Sequence, residues 1–217
     1  EFNFNFNTTK FFAGHSLGEY SALVSSESIN FEDAIYLLHE RGKAMQEAVP
    51  IGQGSMIAVL GSNIDDVKNY IKEIKNNKVC EIANDNANGQ TIISGDINSV
   101  KLLQAILNKN KIKCIPLNVS APFHCSLMNS AAEKMKDKIN SVKFNKPKIN
   151  IISNVTSKNE NNPELIKKLL IEQIYSTVRW RESIIHMSND KVTDFIEIGP
   201  GKVLSGMVKR TLKNINS

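Results

Sequence analysis

The feature that most restricts this chain is the pentapeptide Gly14-His15-Ser16-Leu17-Gly18, set between an apolar run and a helical pattern. In front of it, Phe11-Phe12-Ala13 reads as the end of a buried strand; behind it, Glu19-Tyr20-Ser21-Ala22-Leu23-Val24 reads as the start of a helix. A strand that turns sharply into a helix through Gly-x-Ser-x-Gly is a nucleophile elbow, a device of α/β sheets. The two glycines are expected to remove side chains where strand and helix come closest. The turn lifts the Ser16 hydroxyl clear of the sheet and points the Leu17 N–H into the same space, as half of an oxyanion hole. A plain glycine-rich βα turn is the simpler reading, and the flanking strand and helix favour the elbow.

The rest of the chain divides into three stretches. A helix expected over 32–48, capped by Asn30 and ended before Pro50, carries Ala34, Leu37, Leu38 and Met45 on one face. Arg41 falls in that stripe. A guanidinium facing a core is costly unless an anion meets it; the plainer readings are that it snorkels to solvent or pairs with a structural carboxylate such as Glu19.

Residues 54–119 then read strand, helix, strand, strand, helix, strand. The strands are expected at 56–60, 79–83, 91–94 and 114–119, the helices at 65–75 and 99–107, and a turn over Asn86-Ala87-Asn88-Gly89. That order is a split βαβ, ferredoxin-like unit, inserted between the two parts of a larger α/β core at 1–53 and 120–217.

In the last stretch, the loop Pro122-Phe123-His124-Cys125 opens a helix marked by Leu127, Met128, Ala131, Met135 and Ile139. A helix N-terminus lowers an imidazole's pKa and keeps it neutral and basic. A strand at 149–153 precedes a helix from Pro163 to about residue 175. Its inward face includes Gln173, which must be hydrogen-bonded or open to a cavity. A helix at 180–187 and a strand at 195–198 follow. Gly199-Pro200-Gly201-Lys202 then leads into a terminal helix, either as a tight βα connection or as a phosphate cradle.

At 217 residues the chain can bury a sizeable core. Three cysteines without a C-x-x-C pair argue against disulfides and zinc, and for a reducing compartment. No apolar run is long enough to span a membrane, and residues 1–7 have neither the basic start nor the apolar block of a signal peptide. The net charge of +5 comes from scattered lysines, not a basic stripe; it suits an acidic protein or a phosphate-bearing ligand better than nucleic acid.

Four motifs stand in one order: Gly14-His15-Ser16-Leu17-Gly18-Glu19-Tyr20, Arg41-Gly42-Lys43, Pro122-Phe123-His124-Cys125 and Ile198-Gly199-Pro200-Gly201-Lys202-Val203-Leu204. Together they resemble the malonyl-CoA:acyl-carrier-protein transacylases of dissociated type II fatty-acid synthesis, from about Phe11 to the C-terminus. The resemblance implies that Ser16 is the nucleophile and His124 its base. It implies that Arg41 grips the malonyl carboxylate, with His15 close to the same group, and that Leu17 supplies an oxyanion N–H. By the same resemblance the Gln173 main-chain carbonyl orients the imidazole, and Asn84 lies on the substrate side.

The substrate would be malonyl-CoA, and the partner an acyl carrier protein bearing the phosphopantetheine thiol. No cofactor, metal, nucleic acid or membrane is expected. A monomer is expected, in a plastid-type organelle such as an apicoplast or in a bacterial cytoplasm. The family has a further third of the domain before the elbow, with a Gln-containing loop for the second oxyanion N–H, and residues 1–10 carry nothing that matches it. The alternatives are a serine hydrolase or thioesterase, a loading domain of a polyketide synthase, and an inactive scaffold that docks a carrier protein. Arg41 is the residue that a lipase-like enzyme does not need.

Overall fold

Two sheets organise the chain, and they are assembled by opposite means. The computed structural model describes residues 8–74 and 78–213. Its first part holds β1 (Phe12–Ala13), α1 (Gly18–Ser25) and α2 (Phe31–Glu47). The middle holds β2 (Gly54–Leu60), α3 (Ile64–Lys72), β3 (Cys80–Ala87), β4 (Gln90–Asp96), α4 (Ile97–Lys109) and β5 (Lys113–Pro116). The last part holds α5 (Asn129–Ser141), β6 (Ile151–Ile152), β7 (Asn159–Glu160), α6 (Pro163–Gln173), α7 (Trp180–Asn189) and α8 (Val203–Leu212).

The middle sheet has the order β3-β4-β2-β5 and is antiparallel throughout. Only β3 and β4 form a hairpin; β2 pairs with β4 across α3 and β3, and with β5 across α4 as well, so the whole sheet comes from one continuous stretch of chain. α3 and α4 cover one face, burying Ile57, Val59, Val67, Ile93, Leu103 and Leu107 in one cluster.

The other sheet pairs β1 with β6 in parallel, Phe12 with Ile151 and Ala13 with Ile152, and β7 runs antiparallel to β6. These strands are only two residues long. What holds them is the largest core cluster, where Tyr20, Leu23, Leu37, Met135, Ile139 and Leu170 from the surrounding helices pack against Ile151. The helices start where the sequence supplies acceptors. Asn30, Asn63, Asp96 and Asn162 each take N–H groups of the first turn, with Pro163 at the first position of α6.

The outer edge of β3 is not free. Asp85 N donates to Val178 O (2.9 Å) and Val178 N to Ala83 O (2.8 Å). The Asp85 carboxylate pairs with Arg181 at 2.8 Å. Glu81 accepts from Ser126 N (2.8 Å) and Ser126 Oγ (2.6 Å), tying the middle sheet to the start of the His124-side helix. Among the described residues no helix is long and apolar enough to cross a membrane.

Four expectations are corrected. The strand at 195–198 does not form: no described strand lies beside it, and Ile198 is 80% exposed. Glu197 instead turns back on α8 and accepts from Leu204 N (3.1 Å), Ser205 N (2.8 Å) and Ser205 Oγ (2.7 Å). The chain's own carboxylate thus supplies the anion that this helix start attracts, which removes the case for a phosphate cradle at Gly199–Lys202. The helix after His124 opens as a 3₁₀ turn over Ser126–Met128 and becomes α-helical only at Asn129. β3 runs through the expected turn as far as Ala87, with Ala83 and Asn86 as extra bulged residues, and Gly89 takes the positive φ of +69° at the tip. α3 ends at Lys72, and its expected last residue, Lys75, lies outside the described residues.

Candidate active site

The turn between β1 and α1 depends on one close approach. A Cβ on Gly14 would lie 1.9 Å from Gly18 O, whereas a Cβ on Gly18 would meet nothing within 4 Å. Only the first glycine is therefore required by the contact, because Gly18 already lies in α1 with that direction open. Ser16 sits at φ +52°, a costly left-handed conformation for a side-chain-bearing residue, which the surroundings must hold. Asn154 does so. Its Oδ1 accepts from Ser16 N (2.7 Å) while its Nδ2 donates to Gly14 O (2.8 Å).

Around Ser16 the tertiary fold gathers side chains from four distant segments. Ser16 Oγ is 2.7 Å from His124 Nε2. On the other ring edge, His124 Nδ1–H donates to Gln173 O at 2.9 Å, which leaves Nε2 as the acceptor for the serine proton. Arg41 Nη2 donates to Ser16 Oγ (3.0 Å) and to Gln173 Oε1 (3.1 Å). Gln173 Nε2 donates to Ser16 O (3.0 Å) and to Glu19 Oε2 (2.7 Å). Glu19 also accepts from Asn154 N at 3.3 Å.

Burial sets the electrostatics. It pushes His124 down to about 3, helped by the positive charge of Arg41, so the imidazole is neutral at physiological pH. The cause is desolvation first and the guanidinium second, not the helix N-terminus invoked from the sequence. Burial also pushes the Glu19 carboxyl up to about 7, against the hydrogen bonds from Gln173 and Asn154. Arg41 is 7% exposed, and burial lowers its pKa. It neither snorkels nor pairs with Glu19: none of the ion pairs among the described residues includes it, and its Nε has no partner. A buried cation without an anion is costly, and here it stands one hydrogen bond from a serine hydroxyl.

The other nominated residues divide. His15 Nε2–H donates to Asn86 Oδ1 (2.8 Å), and the ring meets Trp180 edge-on at 5.5 Å between centroids. The Leu17 N–H is bonded to no acceptor among the described residues, and the Leu17 side chain is exposed. Asn84 is buried beside Val178, but no hydrogen bond links its side chain to this network. Asn86, two residues on, is the asparagine bonded to His15.

Asn154, Asn86, Glu19's bonds and the Gln173 side chain were not assigned to the site from sequence. Asn154 carried a usable signal, since it follows the C-terminal end of a parallel strand, where open α/β sheets place their sites. Asn86 carried none, because a bulge aims it. A cleft of about 620 Å³ opens beside His124, lined also by Glu81 and Ile82 of β3, Lys72 of α3, Thr177 and Arg179. The arrangement provides a hydroxyl, a neutral base behind it and a fixed cation in front.

Residues 7–217 match the acyl transferase domain family. A Bacillus subtilis protein named malonyl CoA-acyl carrier protein transacylase is 43% identical over 212 residues, 97% of this chain and 67% of that one. Among solved structures, an acyl-carrier-protein-S-malonyltransferase from Bartonella henselae superposes with a TM-score of 0.94 at 41% identity, covering 97% of this chain and 68% of that one. A malonyl-transacylase in complex with a type II polyketide acyl-carrier protein gives 0.92 at 38% identity, covering 95% and 67%. The chain therefore spans about two thirds of the length of the relatives it matches.

Proposed function

The chain belongs to the acyl transferase domain family, and from that premise we propose that it moves the malonyl group of malonyl-CoA to the phosphopantetheine thiol of an acyl carrier protein. The observation that carries this reading is Arg41, a buried cation in no direct ion pair among the described residues, with Glu19 reached only through the Gln173 amide, and hydrogen-bonded to Ser16 Oγ. A free carboxylate on the acyl group meets that cation with a two-pronged, charge-assisted pair, and a neutral acyl group does not.

In the first half-reaction the Ser16 hydroxyl gives its proton to His124 Nε2 and its oxygen bonds to the thioester carbon. The Leu17 N–H faces the developing oxyanion. The C–S bond to coenzyme A then breaks, and His124 returns its proton to the departing sulfur. In the second half the carrier thiol gives its proton to His124 and attacks the malonyl ester. Ser16 recovers the proton as the ester opens.

His124 starts with a very low affinity for the proton, partly because of Arg41. A malonyl carboxylate on Arg41 offsets that field and makes the imidazole a better base once the right substrate is in place. His15, held by Asn86, faces the same carboxylate in this scheme. Asn84 has a weaker claim, as no hydrogen bond joins it to the site. All proton handling lies on His124, so the route needs no cofactor or metal.

We assign 54–119 to a ferredoxin-like insert, a reading supported by its strand order and by the two helices on one face. The hydrolase-like core of 1–53 and 120–217 then presents Ser16 on a nucleophile elbow. All the residues of the scheme come from one chain, which fits a monomer. The relatives are bacterial, which supports the bacterial cytoplasm over a plastid-type organelle. A serine hydrolase fits less well, since the histidine's Nδ1–H goes to a main-chain carbonyl and not to a carboxylate.

Intact mass after incubation with malonyl-CoA tests the proposal. A malonyl adduct that disappears on adding carrier protein is expected. An adduct discharged equally fast by water alone makes the protein a hydrolase.

A further inference from the structure

Glu19 is the one charged group in this network that no step of the proposed reaction uses. It is 1% exposed, in the first turn of α1. Its Oε2 accepts from Gln173 Nε2 (2.7 Å) and from Asn154 N (3.3 Å). The Gln173 amide is fully committed as a result. Its two hydrogens go to Ser16 O and Glu19 Oε2, and its oxygen takes Arg41 Nη2.

Turning that amide over would set its oxygen against two acceptor oxygens and its NH₂ against a guanidinium. All three bonds would be lost in a buried place, so one orientation is far below the other. Glu19 is what makes the difference large. Remove its carboxylate and one amide hydrogen is left without an acceptor, while the flipped state loses one of its two oxygen–oxygen clashes. Arg41 depends on the outcome, because its Nε has no partner among the described residues and Gln173 Oε1 is one of the two acceptors there that take its hydrogen bonds.

We infer that Glu19 is a positioning residue, whose carboxylate locks the Gln173 amide in the orientation that holds Arg41 beside Ser16. The inference rests on the transfer reaction proposed above for its specificity consequence, though not for its geometry. It acts through one intermediate side chain and touches no reacting atom.

A double-mutant cycle tests it. Glu19→Leu keeps the bulk and removes the acceptor; Gln173→Ala removes the amide but keeps the main-chain carbonyl that serves His124. Two readouts are taken, the ratio of malonyl to acetyl transfer and the rate at which a fluorophosphonate labels Ser16. Glu19→Leu should lower the malonyl-to-acetyl ratio roughly tenfold and change the labelling rate by roughly threefold or more in the wild-type background, and move both readouts by less than about twofold where Gln173 is already Ala. Equal factors in the two backgrounds overturn the inference, as does a ratio that does not move while stability falls.

If Glu19→Leu does not fold, Glu19→Gln and Glu19→Asp replace it. The amide oxygen of Gln reaches the same two donors and the shorter Asp does not, so Gln should retain clearly more of the ratio than Asp. Equal losses overturn the inference. Should the wild type transfer no malonyl group, the proposed reaction fails, and the labelling cycle still decides the role of Glu19.

Discussion

The two sheets of this protein differ in what holds them. The middle sheet is zipped by ladders of up to seven pairs between strands of one continuous stretch of chain, and it has an apolar cluster of its own. The β1–β6 sheet has two paired residues per strand, brought together across 139 residues of chain, and all the proposed chemistry stands at its rim. There, side-chain hydrogen bonds replace the ladder. Asn154 joins the end of β6 to the turn after β1, and Glu19 and Gln173 join that turn to α6. The lesson is that precise placement comes from a few polar contacts across distant segments, while regular pairing supplies the support.

The largest expected effect is at the rim. Ser16→Ala should abolish the malonyl adduct outright while the protein still unfolds cooperatively, with a stability change of about 1–3 kcal/mol because Arg41 and His124 lose the hydroxyl they share. Denaturant unfolding and intact mass on the same sample check both halves; an adduct that persists moves the chemistry to another residue.

In the middle sheet the division should be reversed. Leu103→Ala empties a fully buried position in the cluster with Val67 and Ile93. It should cost about 2–5 kcal/mol of stability, with the rate per folded molecule changed less than about twofold. A rate that collapses along with the stability would mean that the two regions are one mechanical unit.

Arg41→Ala comes next. A two-pronged ion pair in a partly dry site is worth about 1.5–3 kcal/mol. The malonyl-to-acetyl ratio of kcat/KM should therefore fall ten- to over a hundredfold, and Arg41→Lys should rescue little for lack of the planar fork. If both substrates lose the same factor, Arg41 is structural and His15 becomes the residue to test.

The smallest effect is in pH dependence. Folding raises Glu19 from 4.5 to about 7, so its stabilising contribution is complete below 4.5 and is lost as pH rises through 7. Folding lowers His124 from 6.5 to about 3, so its contribution is present above 6.5 and is lost as pH falls through 3. Between 4.5 and 6.5 the two slopes oppose each other. Glu19→Gln removes one of them, and its stability relative to wild type should rise by about 1–3 kcal/mol between pH 5 and pH 8. Urea unfolding at the two pH values measures it; a constant difference would mean that Glu19 titrates as an ordinary carboxyl.

Much of this arrangement was legible in the residues themselves, and the exceptions share a cause. The strand–Ser–helix order, the cap at Asn30, the helix start at Pro163 and the order of elements in residues 54–119 follow from period and turn chemistry, which act locally. Arg41 on an apolar stripe was visible as a misfit, and Gln173 as a polar residue on an inward face. The expected strand at 195–198 failed because an apolar run becomes a strand only where another strand offers its edge, and none lies there among the described residues.

By itself, then, the sequence determined which residues carry reactive groups and which local elements bear them. Only the tertiary structure decided what those groups meet. It set Asn86 against His15 through a bulge, gave the Ser16 turn its clamp in Asn154 and joined Arg41 to Glu19 only through Gln173. The physical reason is range: propensity and periodicity are local, whereas a buried hydrogen bond needs its partner within about 3 Å, and partners more than a hundred residues apart are brought to that distance only by the packed fold.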